Sequence, residues 1–379
     1  MKADGSVVTW GNGGTGGDSS EVAPLLMDGV VQVCGSAGAF AAIKADGRVV
    51  IWGSEFFGGD SSAVAHLLVD GVVQVFANVN DFAAIKANGS VVSWGISDTG
   101  GDSYAVTPLL SEGAVQVFRT DSAFAAIQAN GSVVTWGNVL YGGDSSEFSP
   151  FLTEGVVQVC GNAKAFAAIM ADGSVVTWGE AGSGGDSSAV APLLTEGVVQ
   201  VRGTDLAFAA LKADGSVVTW GSNIYGGDSS AVAHLLVDGV VQVFANVNAF
   251  AAIKADSSVV FWGDAYSRKL DFSAVSPLLS EGVVKVCGNA KAFAAIKVNG
   301  SIVTWGETFN GGDSSEVAPL LTEGVVQVFG NAEALAAIKG DGSVVTWGDE
   351  DSGGDSLAIA HLLMDGVVQV CWCQGHQDC

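Results

Sequence analysis

The chain has few basic residues. Its 379 residues include 15 lysines and arginines against 40 aspartates and glutamates, so the formal net charge at pH 7 is −25. Proteins bind nucleic acids and anionic membranes through clustered positive charge that neutralises phosphate. This composition therefore predicts that the chain binds neither nucleic acid nor a membrane.

Long hydrophobic runs are also missing. Hydrophobic residues make up 49% of the chain, but glycine, aspartate or serine interrupts each apolar run well before the roughly 18 residues that a membrane-spanning helix needs. The N-terminal sequence reads as the tail of a repeat, with no visible signal peptide. We expect a cytoplasmic protein, with a nuclear location as the alternative.

Cysteine and proline are scarce, at six residues each, and their positions are regular. All six prolines share one register of an internal repeat, and four cysteines share another: Cys34, Cys160, Cys287 and Cys371. Equivalent positions of different repeats lie too far apart for a disulfide bond, so we expect free thiols that pack as small apolar side chains. This usage favours a reducing compartment.

What the chain has in abundance is a repeat of 42 residues. The motif Val-Val-Thr-Trp-Gly, or a close variant, returns along the whole length, with one spacing of 43. Its tryptophans are Trp10, Trp52, Trp94, Trp136, Trp178, Trp220, Trp262, Trp305 and Trp347. Such a period is typical of units that must stack because none buries its own apolar faces. We expect one repeat domain over residues 1–370 and a divergent tail over 371–379.

Each repeat contains four segments with strand-like sequence. In the first complete repeat these are residues 29–33, 40–44, 48–52 and 63–68, and the last is a short edge strand that holds the proline or histidine register. Asp46-Gly47 predicts a two-residue hairpin turn between the second and third strands. Four short antiparallel strands per repeat match one blade of a β-propeller. The predicted fold class is therefore all-β, with nine four-stranded blades.

A family resemblance accompanies this pattern. Residues 156–179 read Val-Val-Gln-Val-Cys-Gly-Asn-Ala-Lys-Ala-Phe-Ala-Ala-Ile-Met-Ala-Asp-Gly-Ser-Val-Val-Thr-Trp-Gly, and this string resembles the repeat of the regulator of chromosome condensation superfamily. The resemblance covers essentially the whole chain and implies a β-propeller. It also implies similarity to the propeller domains of HECT-type ubiquitin ligases and to compact-repeat inhibitor propellers. Members of the family differ widely in function, so the resemblance defines the fold better than the activity.

The two ends of the chain are in register with each other. Cys379 aligns with Ala42 and Met1 with Ile43, so a closed ring is favoured, in which the N-terminal third strand pairs with C-terminal first and second strands. Gln377 stands where the first repeat has Phe40, which predicts weak closure. An open array and a fragment of a longer repeat protein are the alternatives.

The tail contains four residues of the types that bind zinc: Cys371, Cys373, His376 and Cys379. Structural zinc loops usually have wider arms between their ligands. A degenerate terminus without metal is therefore the preferred interpretation, and a zinc site is the alternative.

No catalytic constellation is recognisable. The histidines that replace proline lack a recurring partner that would make them bases; they are His66, His234 and His361. We therefore predict that the chain is not an enzyme and uses no cofactor.

Sequence variation between repeats indicates where a partner binds. The loop after Trp-Gly and the loop after the first strand vary most, and an up-and-down blade places both on one face. Aromatic residues on such loops are favoured interface anchors; here they are Phe56, Phe57, Tyr141, Tyr225, Tyr266 and Phe309. The alternative is that these rings pack over the ends of their own blades.

These observations favour a non-enzymatic scaffold, expected to be a monomer, that binds a protein partner through one loop face. The first alternative is the substrate-recognition propeller of a HECT-type ubiquitin ligase whose catalytic domain is absent from this chain. The second is a proteinaceous enzyme inhibitor.

Overall fold

Eight antiparallel sheets of three strands follow one another along the chain. The structure is a computed structural model that describes residues 1–263, 275–356, 363–364, 366–367 and 370. We number the sheets as units 1 to 8. Their strands are β1 (Val30–Gly35), β2 (Ala39–Lys44), β3 (Val49–Gly53); β4 (Val72–Ala77), β5 (Phe82–Lys86), β6 (Val91–Trp94); β7 (Ala114–Arg119), β8 (Ala123–Gln128), β9 (Val133–Gly137); β10 (Val156–Gly161), β11 (Ala165–Met170), β12 (Val175–Gly179); β13 (Val198–Gly203), β14 (Ala207–Lys212), β15 (Val217–Gly221); β16 (Val240–Ala245), β17 (Ala249–Lys254), β18 (Val259–Gly263); β19 (Val283–Gly288), β20 (Ala292–Lys297), β21 (Ile302–Gly306); β22 (Val325–Gly330), β23 (Ala334–Lys339), β24 (Val344–Gly348).

The middle strand of each sheet is the most deeply buried element. In unit 1, Phe40 on β2 pairs with Trp52 on β3, and their rings stack with centroids 5.3 Å apart. Ala41 and Ala42 are fully buried on opposite faces of the same strand. Small side chains here let the neighbouring sheets approach from both sides, which explains a middle strand without a polar face.

The hydrophobic core lies between consecutive sheets. One cluster joins Ala41 and Ile43 of unit 1 to Val75, Phe82 and Trp94 of unit 2, and equivalent clusters repeat along the chain. Burying one such apolar side chain contributes roughly 1.5–3 kcal/mol. Each unit is therefore stabilised by its neighbours, as the 42-residue period predicts.

The predicted fourth strand is wrong, because each described sheet has three strands. In unit 1, a short 3-10 helix replaces the predicted fourth strand. A backbone hydrogen bond from the Val49 N–H to the Leu68 carbonyl joins this segment to the third strand. In units with proline in this register, that residue has no N–H to extend a ladder; unit 1 has His66 there and forms the same helix. We call these elements edge helices: Ala23–Leu25, Ala65–Leu67, Tyr104–Leu109, Ser146–Phe151, Ser188–Leu193, Ser230–Leu235, Ser276–Leu279 and Ala318–Leu320.

A second set of short 3-10 helices follows the third strands. We call them loop helices: Gly13–Thr15, Glu55–Phe57, Ser97–Thr99, Val139–Tyr141, Ala181–Ser183, Asn223–Tyr225 and Thr308–Asn310, with a five-residue helical turn at Glu350–Gly354 that is kinked at Gly353. Among the described residues, no helix is long and apolar enough to cross a membrane.

The predicted two-residue hairpin turn is also corrected. The Lys44 N–H donates to the Arg48 carbonyl and the Gly47 N–H to the Lys44 carbonyl, each over 2.8 Å, so the turn contains three residues. Gly47 takes a φ of +80°, as the bulge position of such a loop requires. Asp46 instead uses its carboxylate to accept the Arg48 N–H at 3.0 Å.

The two ends of the described chain meet. Lys2 forms an antiparallel bridge with Val367, and the Ala3 N–H donates to the Gly366 carbonyl over 2.9 Å. The pairing of Val30 with Lys44 has the same register within unit 1. These contacts place the ends side by side, as the favoured closed ring requires, whereas the predicted second strand of this joint, at residues 371–379, lies outside the described residues.

The first strand of each unit is the innermost. A cavity of about 500 Å³, which we call the channel, is lined by first-strand residues of units 1 to 6 and unit 8 and by Val370. The units have two faces. We call them the loop face, which carries the loop helices, and the turn face, which carries the hairpin turns.

Candidate protein-binding face

Two loops from each unit are joined on the loop face. In unit 1, the Ser54 N–H before the loop helix donates to the Gly38 carbonyl in the loop after β1, over 2.8 Å. Equivalent bonds join Asn138 to Ser122 and Ser222 to Leu206. The two most variable segments of the repeat therefore share one face, as the sequence predicts.

A buried polar side chain fastens these two loops together. The Ser36 hydroxyl donates to the Phe57 carbonyl over 2.6 Å, and the Thr120 hydroxyl donates to the Tyr141 carbonyl over 2.9 Å. Threonine or asparagine makes the same bond in other units: Asn78 to Thr99, Asn162 to Ser183, Thr204 to Tyr225, Asn289 to Asn310 and Asn331 to Ser352. Because a buried polar group that loses its hydrogen bond is costly, these seven loop helices are held in place.

The repeated tryptophans fix each loop helix to the next unit. The Trp94 indole N–H in unit 2 donates to the Gly58 carbonyl at the end of the preceding loop helix, over 3.1 Å. Gly58 has a φ of +85°, and a Cβ there would lie 2.7 Å from the Phe82 ring. The same indole bond recurs from Trp52, Trp136, Trp178, Trp220, Trp262 and Trp347.

The predicted partner-binding aromatics occupy two different positions on these loop helices. Phe56 and Phe309, at the second position, are 69% and 83% exposed. Phe57, Tyr141 and Tyr225, at the third position, are half-buried and pack against the core clusters. Tyr266 lies outside the described residues. The loop face therefore presents second-position side chains to solvent and uses third-position rings as packing.

Two exposed apolar residues belong to the same surface and were not predicted. Val139 and Leu140, on the loop helix of unit 3, are 64% and 72% exposed. Beside them, the Lys164 ammonium lies 5.8 Å from the centre of the Tyr141 ring, within cation–π range. Sequence reasoning that looked only for aromatic rings misses these aliphatic side chains, although they occupy the same variable positions.

Charged groups concentrate where the loop face meets the channel, in units 3 to 5. Asp121 and Asp205 follow first strands at positions where other units have alanine or valine, and both line the channel. Burial raises the pKa of Asp121 to about 6, opposed by the nearby cations of Arg119 and Lys164. Burial raises the pKa of Asp205 to about 7, and the negative charge of Asp121 adds to the shift.

Asp81 is another carboxylate that the sequence analysis missed. It replaces an alanine at the start of a middle strand and is completely buried. One oxygen accepts the Ile96 N–H at 2.6 Å and the Thr99 hydroxyl at 3.2 Å, whereas the other has no partner. Burial raises the pKa of Asp81 to about 6. The sequence does contain an indication of this residue, because the other seven units have alanine at the equivalent position.

The predicted zinc ligands Cys371, Cys373, His376 and Cys379 lie outside the described residues. Within the part of the chain that the structure describes, no group of three or more histidine, cysteine, aspartate or glutamate side chains could hold a metal ion. Cys34 and Cys160 are half-buried and Cys287 is buried, and all three lie on first strands.

Comparison with known proteins gives likenesses of fold. No family model and no curated sequence matches the chain. Similar solved structures include the ectodomain of the receptor kinase CR4 from Physcomitrella patens, with 14% identity over 74% of this chain and 73% of that one and a TM-score of 0.42. Prp20p from Saccharomyces cerevisiae, described with its binding to Gsp1p and histones, has 16% identity over 63% and 72% and a TM-score of 0.40.

Yeast RCC1 (Prp20) in complex with Kap60 is a further likeness, with 17% identity over 73% of this chain and 76% of that one and a TM-score of 0.41. The repeated three-stranded antiparallel sheets of the described chain fit the blades of a β-propeller. Partners of those proteins are not transferred by a likeness of this kind.

Proposed function

We propose that the chain is a non-enzymatic scaffold that binds a protein partner through its loop face. The observation that carries the proposal is the pairing of exposed apolar side chains with fixed loops. Phe56, Leu140 and Phe309 are each more than two-thirds exposed, yet stand on loop helices of the kind fastened by buried hydrogen bonds. Apolar anchors on a surface of this kind are favoured centres of protein interfaces.

Fixed loops favour binding because little conformational entropy is lost when the partner docks. The variable second positions then supply specificity, since each unit offers a different side chain from the same backbone position. Phenylalanine, leucine, isoleucine and aspartate occur there, at Phe56, Leu140, Ile224 and Asp98. A partner that spans several units would therefore read a pattern of apolar and polar contacts.

The absence of enzymatic activity is part of the proposal. It is supported by the placement of His66 and His234, which lie on edge helices of different units. An acid–base mechanism needs such groups within hydrogen-bond reach of one reacting atom.

Site-specific photo-crosslinking tests the proposed face. A benzophenone amino acid would be placed at Phe56, at Phe309 and, as a control, at Val298, which is 77% exposed on the turn face. We expect a partner protein to be captured from positions 56 and 309 and not from 298. The purified partner should then bind the double variant Phe56→Ser, Phe309→Ser about tenfold or more weakly, a loss typical of interface anchors. Equal capture from position 298, or unchanged affinity, would contradict the proposal.

A further inference from the structure

The turn face carries an apolar pattern that the proposed loop-face interaction does not use. The chain passes across this face from each edge helix to the first strand of the following unit, and the connection contacts the hairpin turns. The Ala45 N–H donates to the Gly29 carbonyl, and the Val72 N–H to the Gly47 carbonyl. We call each connection a spoke and give it the number of the unit whose first strand it enters. The first spoke runs from Leu25 to Val31, and the others run between the equivalent residues.

Every described spoke exposes at least two large apolar side chains, an outer and an inner one. The spokes of units 1, 2 and 6 expose a third between them: Met27, Val69 and Val237. The outer side chain is that of Leu25 or its equivalent in another unit. The inner side chain is that of Val31 or its equivalent, and Val31 is the extra residue of a β-bulge between Val30 and Gln32. The outer residues are 38% to 61% exposed and the inner residues 51% to 60% exposed. Exposed apolar side chains that recur on one face are a feature of interaction sites.

Acidic residues separate these apolar positions, and their lysine neighbours are withdrawn from solvent. The Lys44 ammonium lies 2.8 Å from the Leu25 carbonyl and 3.2 Å from the Asp28 carboxylate. Its side chain is 17% exposed, whereas that of Asp28 is 87% exposed. Lysine makes the same carbonyl bond in other units: Lys86, Lys212, Lys254, Lys297 and Lys339.

Units 3 and 4 break this pattern. Gln128 and Met170 occupy the position equivalent to Lys44. The acidic residues of these two spokes, Glu112 and Glu154, therefore lack the lysine that the other described units have at this position. The Gln128 amide keeps the carbonyl bond, to Leu109 over 3.0 Å, but supplies no charge. Among the described spokes, these two neighbours are therefore the ones whose acid has no lysine in the adjoining register.

The outer apolar side chains of these two spokes are the most exposed of their register among the described spokes, and the inner valines are typical of theirs. Leu109 and Phe151 are each 61% exposed, and Val115 and Val157 are 54% and 60% exposed. A second copy of the chain would bring acid against acid here, and an anionic lipid surface would be repelled. A basic partner satisfies both features, because its cations pair with the glutamates while its apolar side chains cover the leucine, phenylalanine and valines.

We propose that the spokes of units 3 and 4 form a second binding surface, for a basic polypeptide segment that carries apolar side chains. Its lysines or arginines pair with Glu112 and Glu154, and its apolar residues pack on Leu109, Phe151 and the two bulge valines. The surface lies on the face opposite to the proposed loop-face site, so the two sites can be tested separately.

The chain itself offers a matched control. The neighbouring spokes of units 7 and 8 have the same acids, Glu281 and Glu323, and similarly exposed apolar residues, but lysine beneath them at Lys297 and Lys339. Removing two glutamates from either pair changes the net charge by the same amount. A difference between the pairs therefore reports the local site and not the overall charge of −25.

The test measures binding of a fluorescent amphipathic lysine–leucine peptide to the full chain by anisotropy, with a glutamate–leucine peptide of equal length as the comparison. Glu112→Gln with Glu154→Gln should weaken binding of the lysine peptide by about fivefold or more, the size expected when close charge pairs are lost. Gln128→Lys with Met170→Lys should weaken it similarly, and both changes restore side chains that the repeat already accepts. Glu281→Gln with Glu323→Gln should change it by less than about twofold.

Equal losses for the two glutamate pairs would overturn the proposal, because they would show general attraction to an acidic protein. Equal binding of the glutamate peptide, or no binding of the lysine peptide, would also overturn it. Sedimentation of the unmodified chain provides a further check: a dimer that the variants of units 3 and 4 dissociate would show that a second copy occupies the surface instead.

Discussion

At the scale of single residues, the tryptophan of each repeat has two roles, of which only one is evident from the sequence. Its spacing predicts a buried aromatic on the third strand, and Trp178 is indeed fully buried against Phe166 at 5.2 Å. Its second role, donation of the indole N–H to Gly142 in the preceding unit, depends on a partner 36 residues away. No local pattern contains that information.

Replacing Trp178 separates the two roles. Trp178→Ala should lower the free energy of unfolding by about 3 to 5 kcal/mol, because it leaves a cavity between units. Trp178→Phe keeps most of the apolar volume and should cost less, about 1 to 3 kcal/mol, chiefly because it leaves the Gly142 carbonyl without its donor. Urea unfolding of the two variants gives the comparison. Little change in Trp178→Ala would contradict the burial of this ring.

The buried carboxylates predict an unusual dependence of stability on pH. A folded-state pKa near 7 for Asp205, above its ordinary value of 3.8, means that the folded chain holds a proton that the unfolded chain has released between these pH values. Stability therefore falls as the pH rises from about 4 to about 7, and the penalty is complete above pH 7. Surface aspartates with lowered pKa values, such as Asp172, act in the opposite direction below pH 4.

The substitution Asp205→Asn tests this dependence. The amide cannot ionise, so the variant should be more stable than the unmodified chain at pH 8 by about 2 kcal/mol and similar to it at pH 4.5. Thermal or urea unfolding at the two pH values measures the difference. Asp172→Asn, at an exposed turn, is the control and should give no gain at pH 8. A destabilised Asp205→Asn at pH 8 would show that the carboxylate makes a favourable ionic contact in the folded chain.

At the scale of the structural element, the loop helices show how far sequence reasoning extends. Variation between repeats correctly predicts that these segments share a face. It does not distinguish Phe56 from Phe57, because three residues of 3-10 helix are too short for a periodic pattern to reveal which side chain points inward. The prediction of a fourth strand was wrong for a related reason. A short apolar segment that contains proline is compatible with both an edge strand and a short helix.

Adjacent phenylalanines on one loop helix allow a matched test. Phe57→Ala should destabilise the chain by about 2 kcal/mol, because its half-buried ring packs against Gly38 and the unit 1 core. Phe56→Ala should change stability by less than about 0.5 kcal/mol, since the ring is mostly exposed. Differential scanning calorimetry of both variants decides the point. Equal effects would mean that the loop helix does not separate packing from exposed positions.

One hairpin turn departs from the glycine that its conformation favours. Ser257 has a φ of +64°, the only described residue other than glycine with a positive value. A left-handed conformation costs a residue with a Cβ roughly 1–2 kcal/mol. Ser257→Gly should therefore stabilise the chain by about 0.5 to 1 kcal/mol after the greater entropy of unfolded glycine is considered. The reverse change at the equivalent turn, Gly215→Ser, should destabilise it by more than this in the same unfolding assay, because a Cβ there would also lie 2.7 Å from the Gly239 nitrogen.

At the scale of the whole molecule, the repeat predicts a stack of similar units, but not where its ends lie. The register of Met1 with Ile43 makes a ring feasible without requiring it, because the small rotation between successive units sets the curvature, and no sequence pattern encodes that angle. The structure supplies the missing observation in the bridge between Lys2 and Val367. The account therefore depends on a loop face and a turn face that continue across this joint.

Spin-label distance measurement between hairpin turns tests this arrangement most directly. The labels would be attached to cysteines that replace four exposed turn residues, after the native cysteines are removed: Asp4, Asp341, Asp172 and Asp214. The carboxylate of each accepts a hydrogen bond from the serine two residues later. The account predicts that the 4–341 distance matches the 172–214 distance between consecutive units, and that the 4–172 distance is much longer. A 4–341 distance longer than the 4–172 distance would contradict it and would show an open array.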